Sequence, residues 1–289
     1  MTLNSYQVPA GKAIKLADYP PSEGKQQHNN TIRDEVIPGL VTELKDLHLK
    51  LHAEEKNGIL VVLQALDAAG KDETISYIFS NLNAQGLKTT SFKKPSEEES
   101  KHDYMWRLHD GLPARGEIAI LNRSYYEEVI VTRVHDLVKD VEVPEHIGKQ
   151  EVWKLRYRQI NDYERYLHEN GFYVIKFFFN MSRDKQRERL LERMKDPNKN
   201  WEFSFNDVKE REHWDTYQQI FEEMLQETST EYSPWYIIPA DDEWHSRSIV
   251  SQIMIELLKD IDPKFPEITG EDKEKLNDYI KKLEHEGTV

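Results

Sequence analysis

The chain has 289 residues, 53 of them acidic and 39 basic, a net charge of −14, 38% hydrophobic residues and no cysteine. That length and apolar content suit one large α/β domain with flanking segments and exclude global disorder. The acidic total argues against a general nucleic-acid or anionic-membrane binder, and the lack of Cys excludes disulfides, thiolate metal sites and thiol nucleophiles.

Residues 1–30, with Pro9, Pro20 and Pro21, read as an extended arm on the surface. They hold no apolar signal core, no run approaches membrane-span length, and a cytoplasmic protein is the expectation. Residues 33–56 read as a helix with a stripe of Ile37, Leu40, Leu44, Leu47, Leu49 and Leu51, ended by Gly58. Residues 59–64 are the first strand, and its helix is expected over 71–85. A second strand, 87–92, closes on Lys93, Lys94 and Pro95. A helix with Tyr104, Trp106 and Leu108 follows, then a loop at 111–116 and a third strand at 118–121.

After Asn122, Arg123 and Ser124 the chain reads as helical through Val134. Pro144 opens a long helix ending near Gly171, and 172–179 is a continuous apolar fourth strand. An Arg-rich helix spans 181–194, followed by a turn-rich loop at 197–205 and a long helix capped by Asn206 or Asp207. Strand five is 235–239, with a helix from about Trp244. The expected organisation is an arm (1–30), one domain (31–262) and a C-terminal linker and helix (263–289). Apolar strands alternating with helices imply a parallel, five-stranded sheet covered on both sides, with its site at the carboxyl ends of the strands.

Polar residues fall at those ends. LVVLQALDAAGKDETI, residues 60–75, has the layout of a phosphate-binding loop: strand, small-residue turn, lysine, helix. The strict motif is not met, because Ala65 replaces the first Gly and Asp72 the hydroxyl. Asp67, Gly70 and Lys71 follow strand one, Lys93 and Lys94 strand two, Asn122 and Arg123 strand three. Gathered at one edge, they form a basic, amide-rich cleft with carboxylates, suited to phosphoryl transfer. Lys71 reads as a phosphate contact and Asp67 as a metal ligand or proton acceptor. Asn122 and Glu127 stand open between metal support and structure, Arg133 between anion contact and ion pair. Asp72 and Glu73 are first-turn acids. Residues 183–204 are either a helix held by ion pairs or a lid closing over phosphate. Arg187, Arg189 and Arg193 lie at mixed helical phases, so they do not all face the cleft.

The strings LDAAGKDETI, SFKKPSEEE, HDYMWRLHDGLPARGEIAILNRSYYEEVIVTRVH, LRYRQINDYERYL, NWEFSFNDVKEREHWDTY and TSTEYSPWYIIPADDEWHSR together resemble the polyphosphate kinase 2 family, from about residue 33 to 260. Asn122-Arg123-Ser124 with Glu127 resembles its class III subgroup. The resemblance implies a three-layer α/β/α P-loop kinase-like fold with a helical lid. It also implies reversible transfer of the terminal phosphoryl group of inorganic polyphosphate to nucleoside mono- and diphosphates, with Mg²⁺ or alternatively Mn²⁺, and a homo-oligomer, dimer or tetramer. Carried over by position, Asp67, Gly70 and Lys71 form the phosphate loop with Ala68, Ala69 and Asp72, and Asn122, Arg123 and Glu127 form the second motif. Asp67, Asn122 and Glu127 hold the metal, and Lys93, Lys94, Arg115 and Arg133 are further anion contacts. Ala65 and Glu73 depart from frequent glycines of the family. An ATP-dependent nucleotide kinase and a non-catalytic nucleotide- or polyphosphate-binding regulator are the alternatives.

Overall fold

The central strand β1, Gly58–Gln64, is buried along its whole length. The structure is a computed structural model that describes residues 3–25, 28–92, 95–137, 144, 147–148 and 151–286. Ahead of β1 stands helix α1, Ile37–Glu54, and after it helix α2, Lys71–Tyr77. Then come β2 (Leu87–Ser91), β3 (Ile118–Asn122), α3 (Glu127–Val134), α4 (Val152–Glu169) and β4 (Phe172–Asn180). Helices α5 (Arg183–Lys195), α6 (Phe205–Glu210) and α7 (Trp214–Thr228) lead to β5 (Trp235–Pro239), α8 (Glu243–Ile261) and α9 (Gly270–His285).

All pairings are parallel and the strand order is β2-β3-β1-β4-β5. Alternation along β1 builds two cores, one on each face. Ile59, Val61 and Leu63 pack with Leu44, Leu51, Val250 and Met254 from α1 and α8. Leu60 and Val62 pack with Val129, Ile160 and Phe221 from α3, α4 and α7. The result is the expected three-layer α/β/α sandwich. After β1 the chain leaves toward the β2 edge, and after β4 toward the β5 edge. That divergence opens a crevice at the carboxyl ends of these neighbouring strands.

Several boundaries differ from expectation. Gly58 does not end α1; Glu55, at φ 53°, is its left-handed cap. Gly58 opens β1, where a Cβ would lie 2.6 Å from the Phe172 ring. Helix α2 stops at Tyr77, and tight 3₁₀ turns carry the chain to β2. Residues 106–111 are likewise 3₁₀. The long helix starts at Val152, not Pro144. Ser204 caps α6, with Asp207 completing the capping box from the third helical position.

The N-terminal arm does more than lie on the surface. Val8 N donates to the Trp235 carbonyl and Ile237 N to the Tyr6 carbonyl, so the arm pairs with the exposed edge of β5. Val8 and Leu16 are buried.

Candidate active site

The phosphate loop is built as its sequence suggests. Beyond Gln64 the backbone turns through Ala68 (φ 66°) and Gly70 (φ 98°), both left-handed. Gly adopts this freely, whereas Ala does so at a cost. Arg189 of α5 offsets that cost by donating to the Ala68 carbonyl at 2.9 Å, and it also holds the Ala240 carbonyl. Ala65 lies outside the left-handed region and departs from glycine without backbone strain.

Lys71 opens α2 and is buried, its Nζ donating to the Ala65 and Leu66 carbonyls at 3.2 Å each. Burial pulls its pKa down, opposed by the nearby carboxylates of Asp67, Glu127 and Asp72. Arg123, at the end of β3, donates to the Asp67 carboxylate. Withdrawal from water works against its charge, but Asp67 and Glu127 outweigh this and raise its pKa. Glu127 accepts from Gln64 Nε2 at 2.6 Å. Burial raises the Glu127 pKa, with Arg123 opposing. Asn122 donates to Asp72.

Two cavities share the Asp67–Arg123 wall. The larger, about 610 Å³, lies between the loop and the lid, against Gly70, Lys71, Asp72, Asn122, Arg193 and Asp207. The smaller, about 120 Å³, lies beneath α6 against Gln64, Glu127, Glu210, Arg211 and Tyr217. The expected metal set spans both cavities: Asp67 borders each, Asn122 only the larger and Glu127 only the smaller. Among the described residues no three acidic or His side chains form a ready metal cage. The larger cavity nevertheless carries hard oxygen donors in Asp67, Asp72, Asn122 and Asp207, the type Mg²⁺ takes while keeping several waters. Burial, and then the charge of Asp67, push the Asp207 carboxyl up. A divalent cation relieves such crowding of like charges, so the residues present fit one.

Two expected anion contacts lie elsewhere. Arg115 precedes β3 and so sits at the amino end of the sheet, opposite the loop. It donates to the Lys56 and Asn170 carbonyls and stacks over Phe172. Arg133, in the last turn of α3, bridges to Glu223 at 2.7 Å and lies over Trp153. Lys93 and Lys94 fall outside the described residues. The polar residues that end or follow β4 and β5 have partners of their own. Asn180 holds the Tyr19 carbonyl, Asp241 accepts from Ser182 N, and Asp242 accepts from Ser22, Glu23 and Lys25 of the arm.

The three lid arginines diverge, as their phases require. Arg193 faces the larger cavity and pairs with Glu202 and, at 3.8 Å, Glu73. Arg189 buttresses the loop, and Arg187 pairs with Asp184 in solvent. Glu73 thus meets a lid cation. Asp207 and Gln64 were not among the expected site residues. Asp207 reads in the sequence as a cap and not as a lining of the cavity it borders, whereas Gln64, a polar residue ending the apolar β1, was a visible signal.

A family model described as Polyphosphate kinase 2 (PPK2) matches residues 27–266. An ADP-polyphosphate phosphotransferase from Rhodopseudomonas palustris is 41% identical over 279 residues, covering 94% of each chain. An AMP/ADP-polyphosphate phosphotransferase from Meiothermus ruber is 43% identical over 233 residues, covering 81% of this chain and 84% of that one. The crystal structure of polyphosphate kinase 2 from Arthrobacter aurescens TC1 superposes with a TM-score of 0.85 at 30% identity, covering 96% of this chain and 95% of its own. By this match and these relatives, the chain belongs to the polyphosphate kinase 2 family.

Proposed function

We propose that the chain transfers the terminal phosphoryl group of inorganic polyphosphate to nucleoside mono- and diphosphates, carrying AMP through ADP to ATP, with Mg²⁺ or alternatively Mn²⁺. The names of the relatives, ADP- and AMP/ADP-polyphosphate phosphotransferase, support donor and acceptor class. The observation that carries the reading is the Asp67–Arg123 bridge. It joins the phosphate loop to the second motif at the wall shared by two cavities.

In this reading the loop N–H groups and Lys71 hold the transferring phosphoryl group. Arg123 shifts from Asp67 to phosphate oxygens, where its planar fork places two hydrogen bonds. Asp67, released, joins Asn122, Asp72 and Asp207 as oxygen donors to the metal, and Glu127 sets the local charge beside Arg123. When bound, the cation neutralises charge on the bridging and transferring oxygens. The attacking atom is a phosphate oxygen, already largely ionised at neutral pH, so a general base has little to do. Arg193 closes the lid side.

A homo-oligomer is part of the proposal. Helix α9 exposes Leu276, Tyr279, Ile280 and Leu283 in one row, and its ends are acidic (Glu271, Asp272) and basic (Lys282, His285). Antiparallel pairing of two copies covers the row and matches those charges.

The test is a time course with purified protein, Mg²⁺, AMP and polyphosphate, without ATP. ADP and then ATP are expected. Product only when ATP replaces polyphosphate favours an ATP-dependent kinase, and binding without turnover favours a regulator.

A further inference from the structure

Between β3 and α3 the chain turns at Arg123, whose φ of 60° is left-handed. A residue with a side chain keeps this conformation only where its surroundings over-determine it. The next residues supply the constraint. Ser124 Oγ accepts from Tyr126 N at 3.2 Å. Tyr125 and Tyr126 both donate their hydroxyls to one oxygen of Glu164, at 2.6 and 2.8 Å.

Glu164 stands on α4 and is fully buried. Its other oxygen accepts from Lys176 Nζ on β4 at 2.6 Å. Lys176, also fully buried, spends its remaining protons on the Thr228 carbonyl at 2.7 Å and the Tyr126 hydroxyl at 3.1 Å. Thr228 in turn accepts from Trp235 Nε1 at 2.9 Å. The network thus ties α4, β4, the end of α7 and β5 to the two residues between Ser124 and Glu127.

A buried ion pair is a weak source of stability, because desolvation cancels most of its attraction and apolar residues of like volume do as well. Its distinguishing property is direction. All three Lys176 protons are used and both Glu164 oxygens are engaged, so one arrangement satisfies the set. Packing alone does not require two adjacent hydroxyls to converge on a single oxygen.

We infer that Glu164 and Lys176 are positioning residues for phosphoryl transfer: through Tyr125 and Tyr126 they fix the turn that aims Arg123 at the phosphate loop and Glu127 at the cavity beneath the lid. The inference rests on the phosphotransferase reading above. Neither residue touches substrate, and the effect passes through the backbone of 123–127.

The test compares wild type, Tyr125→Phe/Tyr126→Phe and Glu164→Leu/Lys176→Met, each with Mg²⁺, AMP and polyphosphate. The tyrosine variant keeps both rings and removes only the hydroxyls. The expected result is a kcat per folded molecule lower by about tenfold to 100-fold, as for a small misplacement of catalytic groups, with KM for both substrates nearly unchanged; the thermal midpoint falls as well, because the buried Glu164 carboxylate loses two donors. A purely structural role moves the thermal midpoint and leaves kcat per folded molecule intact. If the Glu164/Lys176 variant does not fold, the tyrosine variant decides. Folded variants with wild-type kcat overturn the inference, as does a loss that only tracks the unfolded fraction. A wild type without turnover overturns the phosphotransferase reading itself, and the inference with it.

Discussion

Arg123 and Asp67 form a salt bridge between the ends of β3 and β1, with the guanidinium donating to the carboxylate. The bridge joins two strands that are hydrogen-bonded neighbours. It holds the charges of two motifs together until an anion competes for the arginine. Lysine at this position keeps the charge and loses the fork. Arg123→Lys is expected to lower kcat/KM for AMP by about 10- to 100-fold with an unchanged thermal midpoint. Steady-state kinetics at fixed polyphosphate measures this, and wild-type kinetics would remove Arg123 from the reaction.

Arg115 separates position in sequence from position in the fold. It fastens the Lys56 and Asn170 carbonyls at the amino end of the sheet. Arg115→Ala is therefore expected to destabilise by about 1–3 kcal/mol through two lost charged hydrogen bonds, leaving KM for polyphosphate unchanged. Urea unfolding and kinetics together decide, and a raised KM with full stability would restore Arg115 as an anion contact.

His48 sets a pH dependence of stability. It is fully buried, its Nε2 lies 2.9 Å from the Gly86 carbonyl oxygen, and its Nδ1 has no partner among the described residues. Burial pushes its pKa below 6.5, with Gly86 opposing and His52 adding to the shift. The folded state therefore favours neutral imidazole. Its contribution is fully present above pH 6.5 and is lost as pH falls through the lowered folded value. The slope has a limit of about 1.4 kcal/mol per pH unit for one proton. His48→Gln retains a donor to Gly86 and is expected to flatten this limb of the stability curve. An unchanged limb would assign acid sensitivity elsewhere.

Helix α9 gives a prediction about assembly. Leu276→Ser/Ile280→Ser/Leu283→Ser removes most of the exposed row while keeping the helix charges. Light scattering is expected to show wild type at a multiple of the chain mass and the variant at a smaller multiple. A monomeric wild type would contradict the proposal.

Much of the fold was legible because single residues punctuate it. An apolar run meeting Gly70-Lys71 placed β1 and the loop, and continuous apolar segments announced a sheet buried on both faces. The early end of α2 was hidden because Ile78, Phe79 and Leu82 keep an apolar pattern while packing into the core from 3₁₀ turns. Arg115 is an anion contact only by resemblance, and topology shows where it lies: in a parallel sheet, residues before a strand sit at its amino edge. Lys176 sits inside an apolar strand, and the sequence does not show its partner because Glu164 lies on a different element. Asp207 was visible as a cap, but only the folded lid brings it opposite Asp67.

The central claim is phosphoryl transfer from polyphosphate to nucleotide at the Asp67–Lys71 loop. It is tested most directly by following ³¹P signals of Mg²⁺, AMP and polyphosphate with wild type and with Lys71→Met, both shown to be folded. Wild type should generate the β-phosphate of ADP and then the γ-phosphate of ATP as polyphosphate shortens, and Lys71→Met should be slower by at least about 100-fold. No nucleotide product from wild type, or equal rates for the two proteins, would contradict the account.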